Sequence, residues 1–155
     1  MLGKIINGYK IEIFVGKGQF GEVYRATKNG KTVAIKFIRK EFIHQDIQEE
    51  RLLREFAALR KVNSPYTVAL LDDGEHIEGS ISYRMIVMEY VEGKTLREIR
   101  NGNPKPLSKK DAIELITNIL NGLKAIHSAG VIHRDLKPEN IKLTRDGHVK
   151  ILDYG

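Results

Sequence analysis

The densest run of chemically capable side chains is His133-Arg134-Asp135-Leu136-Lys137-Pro138-Glu139-Asn140. It places ionisable and metal-binding groups on a short segment that cannot continue as a regular helix past Pro138. A solvated charged loop would explain the polarity alone. It would not explain the apolar residues on both sides, Val131-Ile132 and Ile141, which predict anchors in a core. A charged loop held between buried anchors is a common way to present catalytic groups.

A second polar segment, Asp153-Tyr154-Gly155, follows 13 residues after Asn140. The pattern is weak by itself, because any strand can end in a turn of this composition. A predicted turn at Asp146-Gly147 lies between the two segments, and a hairpin there can bring Asn140 and Asp153 side by side. Together they would offer two oxygen ligands to one hard cation.

A lysine and a glutamate form a further candidate pair. Lys36 ends the apolar run Val33–Ile35, where a lone lysine is commonly a strand terminus that reaches solvent. Glu55 falls on the apolar face of the helix predicted over Gln45–Lys61. A carboxylate that faces a core is costly unless it is paired, and Lys36 is the candidate partner. Alternatively, Glu55 lies at the rim of that face and is solvated, and these residues alone leave both possibilities open.

Gly16, Gly18 and Gly21 have the spacing Gly-x-Gly-x-x-Gly, which lets backbone N–H groups approach phosphates. Alone, the pattern also fits a tight turn in a hairpin. A dinucleotide-binding fingerprint would need a helix directly after the glycines. The β-prone run Val23–Thr27 follows instead, and then Asn29-Gly30, a strong signal for a type I′ hairpin turn. The glycines are therefore predicted to join two strands.

The first half of the chain is predicted to form five strands with one inserted helix. Three strands occupy Tyr9–Phe37, and the helix follows and ends before Pro65. The last two strands are predicted at Val68–Leu71 and Met85–Met88, joined by a polar link over Asp72–Tyr83. A boundary between two lobes is predicted near Glu89–Gly93.

The second half is predicted to be mainly helical. Leu96–Arg100 indicates a short helix, and Asn101–Pro106 indicates a loop. Ser108 with Asp111 resembles a capping box, which predicts the start of a longer helix that ends near Ala129-Gly130. Two short strands are then predicted, at Ile141–Leu143 and Val149–Leu152.

Composition narrows the class of protein. The 155 residues are 41% hydrophobic and 30% charged, as in an ordinary globular domain, and there is no cysteine for a disulfide or thiolate metal site. The net charge is +6, but basic residues are interleaved with acids, which favours a solvated surface over a nucleic-acid site. No signal peptide and no apolar run of ~18 residues is present, so we predict a cytoplasmic location and no membrane segment in this chain, with a membrane-tethered full-length parent as the alternative.

Together the motifs resemble the signature set of protein kinases, in order and with compatible spacing. The glycine loop, Val33-Ala34-Ile35-Lys36, the segment His133–Asn140 and Asp153-Tyr154-Gly155 carry the resemblance, which extends from about Tyr9 to Gly155. Lys137, two residues after Asp135, resembles the serine/threonine class. The implied fold is α+β and kinase-like: a five-stranded antiparallel sheet with one helix over about 9–91, then the start of a helical lobe over 92–155.

The resemblance also implies roles for particular residues. Asp135 would be the catalytic base, Lys137 would stabilise the transferred phosphate, and Glu55 would hold Lys36. Asn140 and Asp153 would bind Mg²⁺. ATP would be contacted by Val15, Gly16, Lys17, Gly18, Gln19, Phe20, Gly21, Val23, Ala34, Lys36, Met88, Glu89, Val91 and Lys142.

Within that set, Val23 and Ala34 would cover the adenine, and Met88 would stand at the back of its pocket. Glu89 and Val91 would contact the adenine through their backbone groups.

Three features depart from the common kinase pattern. Tyr154 replaces the usual phenylalanine. Lys142 stands where an apolar side chain often lies under the adenine; its aliphatic stem could serve, with the ammonium extending away. The chain stops at Gly155, before an activation segment, so we expect the isolated piece to be inactive.

For the parent protein the implied function is ATP-dependent phosphorylation of protein serine or threonine hydroxyls. A non-catalytic pseudokinase or scaffold is the alternative, and the filled catalytic positions argue against it. A nucleic-acid-binding domain lacks any motif.

Overall fold

A computed structural model describes residues 1–18, 21–42, 56–58, 60–102 and 105–152. The chain separates into two compact units. Unit 1 consists of Met1–Phe56 and Leu70–Tyr90, and unit 2 consists of Ala57–Ala69 and Val91–Gly155. In the described residues no helix has both the length and the hydrophobicity that crossing a bilayer requires.

Unit 1 is built on one antiparallel sheet of six strands in the order β1-β2-β3-β4-β6-β5. The strands are β1 (Ile5–Ile6), β2 (Tyr9–Lys17), β3 (Gly21–Lys28), β4 (Lys31–Arg39), β5 (Leu70–Glu78) and β6 (Ile81–Glu89). The predicted fold class is confirmed, and the strand beyond the predicted five is the two-residue β1. A 3₁₀ turn at Lys40–Phe42 follows β4.

The predicted turn between β3 and β4 is confirmed. Asn29 and Gly30 have φ angles of 51° and 75°. Both angles lie in the left-handed region that a type I′ turn requires. The turn sets Lys28 opposite Lys31 and thereby fixes the register of the whole β3–β4 ladder.

The prediction of a polar link over Asp72–Tyr83 is wrong. These residues form most of the β5–β6 hairpin, which turns at Gly79 and Ser80. Because β5 lies at the edge of the sheet, one side of its backbone has no strand partner, and charged side chains are tolerated there. Val68, predicted to begin this strand, belongs to unit 2, where its N–H donates to the Ile151 carbonyl at 3.0 Å.

The sheet of unit 1 curls until its two ends meet. Lys4 forms an ion pair with Glu78. The Asn7 side-chain amide donates to the Glu75 carbonyl at 3.2 Å, and the Tyr9 hydroxyl donates to Asp72 at 3.4 Å. The curled sheet encloses a core of Ile6, Tyr9, Ile11, Tyr24, Ala26, Val33, Ile35, Phe37, Met85 and Val87.

Unit 2 contains two helices and a small sheet. The helices are α1 (Leu96–Asn101) and α2 (Lys109–Ser128), and the antiparallel sheet has the order β7-β8-β9, with β7 at Lys94–Thr95, β8 at Ile141–Leu143 and β9 at Val149–Ile151. The predicted short helix, long helix and closing hairpin are thus confirmed to within a residue or two. The strand β7 was not predicted, because two residues are too few to show a pattern.

The start and end of α2 follow the predicted signals. The Ser108 hydroxyl accepts a hydrogen bond from the Asp111 N–H at 3.1 Å and donates one to its carboxylate at 2.7 Å. Gly130, just past the end, has φ 79°. Gly122 and Ile126 are buried on the side of α2 that packs against β9.

The helix predicted over Gln45–Lys61 falls largely outside the described residues. Residues 56–58 are helical, and Phe56 is buried.

Candidate active site

Four predicted nucleotide-binding residues of unit 1 share one face of its sheet. Directly opposed residues in an antiparallel pair point to the same face, and faces alternate along a strand. Val23 lies opposite Lys36, and Ala34 lies opposite Met88. The alternate residues of β4, which include Ile35, belong to the enclosed core. The four residues therefore lie on the face that the core does not use.

Lys36 is the charged member of this group and is buried, with 7% of its surface exposed. It lies between Val23 on β3 and Ile86 on β6. An ammonium in such a place needs compensating partners, since burial of an unpaired charge is costly. Its predicted partner, Glu55, lies outside the described residues, so their ion pair stays a prediction.

The three glycines of the predicted phosphate loop have different steric surroundings. A Cβ on Gly21 would lie 2.1 Å from the Phe37 carbonyl oxygen, so β3 and β4 can approach here only without a side chain. A Cβ on Gly16 would meet no described atom within 4 Å, and one on Gly18 would make an ordinary contact. None of the three has a positive φ. Gly21 thus has a structural reason to be glycine, whereas the described residues supply no such reason at Gly16 or Gly18.

The remaining residues of this loop are exposed or outside the described part. Val15 lies at a β-bulge between Phe14 and Gly16 and is exposed. The Lys17 ammonium is exposed and 3.6 Å from the Glu22 carboxylate. Gln19 and Phe20 lie outside the described residues.

In unit 2 the predicted catalytic residues form one hydrogen-bonded group. The Lys137 ammonium donates to Asp135 Oδ2 at 2.6 Å, and the Asn140 amide donates to the same oxygen at 3.1 Å. Among the described residues no donor reaches Asp135 Oδ1. The lysine hydrogen bond holds the pKa of the Asp135 carboxyl below its ordinary value, and the Asn140 hydrogen bond acts in the same direction. The carboxylate is therefore ionised and keeps one oxygen for another donor.

The orientation of the Asn140 amide follows from its partners. Its nitrogen lies 2.8 Å from the Asp135 carbonyl oxygen as well as 3.1 Å from Oδ2. Both partners can only accept, so the amide must turn its NH₂ toward them. The Asn140 carbonyl oxygen Oδ1 then makes no hydrogen bond with a described residue. Mg²⁺ prefers oxygen ligands of this kind, so Asn140 fits the predicted metal role.

The backbone around this group is fixed by hydrogen bonds across the loop. His133 is buried, and its Nε2–H donates to the Leu152 carbonyl at 2.9 Å. The Leu152 N–H in turn donates to the Asn140 carbonyl at 2.8 Å. Asp153, the second predicted metal ligand, directly follows this anchored residue and itself lies outside the described residues. Sequence reasoning did not identify His133 as the anchor, although the apolar pair Val131-Ile132 directly before it is a signal for burial.

Arg134, between His133 and Asp135, has φ 60°, in a region that favours glycine. Such a conformation costs of order 1–3 kcal/mol and persists only where the surrounding structure holds it. The buried His133 imidazole and the hydrogen-bonded Asp135 carboxylate, on either side of Arg134, hold its backbone in this conformation. Strain of this type is concentrated at functional sites.

Lys142 behaves differently from the sequence-based expectation. Its ammonium does not extend away but donates to the Val91 carbonyl at 2.9 Å. Burial lowers the Lys142 pKa, and the Glu98 carboxylate partly opposes that shift. Val91 is buried, whereas Met88 and Glu89, at the end of β6, are half-buried. The hydrogen bond shows that Lys142 holds the backbone at one predicted adenine contact, which spacing alone could not reveal.

The chain belongs to the protein kinase domain family, whose sequence profile matches residues 9–155. Protein kinases in general use ATP and Mg²⁺. The probable serine/threonine-protein kinase PknB of Bifidobacterium longum is 39% identical over 95% of this chain and 22% of its own length. A protein of the same name in Lactococcus lactis is 39% identical over 99% of this chain and 24% of its own length.

Solved structures agree on the fold. The kinase domain of Mycobacterium tuberculosis PknI superposes with a TM-score of 0.80 at 25% identity, over 98% of this chain and 61% of that domain. The chain thus spans about a quarter of the length of the curated relatives and about three fifths of the solved kinase domain.

Proposed function

We propose that the protein containing this chain transfers the γ-phosphoryl group of ATP, with Mg²⁺, to serine or threonine hydroxyls of proteins. The observation that carries the proposal is the group Asp135–Lys137–Asn140. It presents an ionised carboxylate oxygen, an ammonium and an amide oxygen within one short loop. The names of the relatives, which are serine/threonine kinases, support the choice of acceptor.

Asp135 orients the acceptor hydroxyl. An ordinary aspartate has a pKa of about 3.9, and Lys137 lowers that of Asp135 further, so it is a weak base near pH 7. Its free oxygen Oδ1 accepts the hydrogen bond of the substrate hydroxyl and points the hydroxyl oxygen toward the phosphorus. The proton moves to this carboxylate as the bond to phosphorus forms.

Lys137 and Lys36 supply positive charge. In phosphoryl transfer the protein mainly positions the reactants and neutralises phosphate charge, and it takes little part in covalent chemistry. Lys137 lies beside Asp135 and is a cation of the catalytic loop, while Lys36 is a buried cation on the β4 face of unit 1. Bound Mg²⁺ would neutralise phosphate oxygens, with Asn140 and Asp153 as its protein ligands.

Each unit contains residues proposed to contact the nucleotide. In unit 1, Val23 and Ala34 offer small apolar side chains on the shared sheet face, as the adenine ring requires, and the glycines at 16 and 18 would let phosphate oxygens approach the backbone. Met88, Glu89, Val91 and Lys142 complete the proposed adenine contacts. A cytoplasmic location stays a prediction from composition.

The test compares two carboxylate variants in the full-length gene product. Asp135→Asn should abolish transfer to a serine/threonine peptide mixture and leave ATP affinity nearly unchanged, because Asp135 contacts the acceptor rather than the nucleotide. Asp153→Asn should make nucleotide binding less dependent on Mg²⁺. Turnover and calorimetric ATP affinity are measured for both variants with and without Mg²⁺.

Two results would count against the proposal. Near wild-type turnover in Asp135→Asn would remove the catalytic role and favour the pseudokinase alternative. Equal loss of nucleotide affinity in both variants would mean that the metal ligand has been misassigned.

A further inference from the structure

The net positive charge of the chain is confined to one unit. Unit 1 has 12 basic and 12 acidic residues and is neutral, whereas unit 2 has 14 basic and 8 acidic residues, a net charge of +6. In the linear sequence the charges look evenly mixed, and the asymmetry emerges only when the two units are separated. Unit 2 also carries the catalytic loop, so the excess charge belongs to the part of the molecule that would meet a substrate.

Three exposed basic residues form a patch beside the catalytic loop: Lys94 on β7, and Arg97 and Arg100 on α1. Helix α1 packs against the 3₁₀ turn Pro138–Asn140, and Arg97 Nε lies 3.6 Å from the Glu139 carboxylate of that turn. Arg100 follows Arg97 by three residues and so lies on the same face of the helix. We call Lys94, Arg97 and Arg100 the basic patch.

Three of the acids near this patch form hydrogen bonds or ion pairs within the chain. Glu139 pairs with Arg97, and Asp135 accepts hydrogen bonds from Lys137 and Asn140. Glu98 is bonded to Thr95 in the cap of α1.

Lys94 and Arg100, in contrast, form no ion pair with any residue in the described part of the chain. Within the described residues the patch therefore presents Lys94 and Arg100 outside any ion pair, although Glu98 attracts Lys94 and the exposed Glu92 lies two residues before it.

We propose that the basic patch binds acidic side chains flanking the acceptor serine or threonine, so that this kinase selects acidic acceptor sequences. The inference rests on the proposed function, since it needs the acceptor hydroxyl at Asp135. Proximity favours a peptide over nucleic acid or an anionic membrane, because the patch joins the catalytic loop through the Arg97–Glu139 contact. Exposed ion pairs are weak, so each acidic flanking residue should raise kcat/KM roughly two- to five-fold.

The test uses three acceptor peptides that differ only in the residues around one serine: acidic, neutral or basic. With the full-length gene product, kcat/KM should fall in that order, and the differences should shrink at high salt because exposed charges are screened. Arg100→Glu combined with Lys94→Glu should abolish or reverse the order. Arg100→Gln should weaken it and guards against misfolding of the double variant. Lys124→Glu combined with Lys109→Glu, both on α2, makes an equal change in charge outside the patch and should leave the order intact.

The outcomes separate the two proposals. Equal kcat/KM for all three peptides would overturn the charge selection and leave the kinase activity standing. Absence of transfer to any peptide or protein acceptor would overturn the proposed function itself. If the patch variants keep the acidic preference but lose binding to RNA or to phosphatidylserine vesicles, the patch serves another partner and the inference is wrong.

Discussion

Replacement of Gly21 by alanine tests the close approach of the β4 backbone to Gly21 at the start of β3. The new Cβ would lie 2.1 Å from the Phe37 carbonyl oxygen and 2.9 Å from its carbon. Those atoms belong to the backbone of β4, within the buried run Val33–Ile38, and cannot rotate away as a side chain could. Relief requires β3 to move by about 1 Å at the point where it leaves the glycine loop. Overpacking of this kind costs about 1–3 kcal/mol, and the rigid neighbour favours the upper half of that range.

Gly16→Ala is the matched control, because it adds the same methyl group five residues away in the same loop. Its Cβ would meet no described atom within 4 Å, and its φ is compatible with alanine. Reduced freedom of the unfolded chain should then stabilise the fold by about 0.4–1 kcal/mol. The methyl group occupies the space proposed for phosphate, so ATP affinity should fall although stability does not.

Urea unfolding followed by far-ultraviolet circular dichroism, with ATP–Mg²⁺ affinity from calorimetry, distinguishes the two variants. For an m-value of 1–3 kcal/mol per molar urea, Gly21→Ala should lower the midpoint by roughly 1 M. A Gly21→Ala protein as stable as the wild type would refute the close approach. Equal destabilisation by both substitutions would refute the distinction between a packing glycine and a ligand glycine.

Two further predictions concern unit 2. Lys142→Met should flatten the pH dependence of stability. Because burial lowers the Lys142 pKa in the folded protein, the unfolded chain keeps this proton to higher pH. The free energy of unfolding of the wild type therefore rises with pH between the folded-state pKa and about 10.5, and that of the variant does not. Urea midpoints at several pH values from 8 to 10.5 test this, and parallel curves for both proteins would contradict it. Ser108→Ala should cost about 1 kcal/mol by removing the cap of α2. Thr117→Ala, mid-helix, should be neutral or stabilising, and the reverse order of the two midpoints would disprove the capping role.

The elements that the sequence predicted well are those specified by local chemistry. Asn29-Gly30 determines its turn through two backbone conformations, and Ser108 determines a helix start through a bond to a residue three positions away. The outer, polar part of the hairpin β5–β6 was missed because its polar residues are explained by its place at the sheet edge, which depends on the order of all the strands. Local patterns contain no information on that order.

The candidate site likewise has features that local sequence predicts and features that depend on the folded structure. The residue types of the catalytic loop could be read directly, because Asp135, Lys137 and Asn140 lie within six consecutive positions. The bond from Lys142 to Val91 spans 51 residues, and the sequence pattern suggested an ammonium that extends away. The basic patch was missed because its place beside the catalytic loop depends on the contact between Arg97 and Glu139, which are 42 residues apart.

The closure of the unit 1 sheet has a consequence for the newly synthesised protein. The contacts that join residues 4–9 to residues 72–78 link positions 63 to 74 residues apart. At roughly 5–20 residues per second, a ribosome needs on the order of 3–15 s to make the partner after the first segment has been made. During that interval β4 also has an uncovered edge, because β6, its neighbour in the sheet, has not been made, and neighbouring nascent chains can pair with such an edge. The contacts of the first nine residues with the β5–β6 hairpin therefore form only after that hairpin has been made.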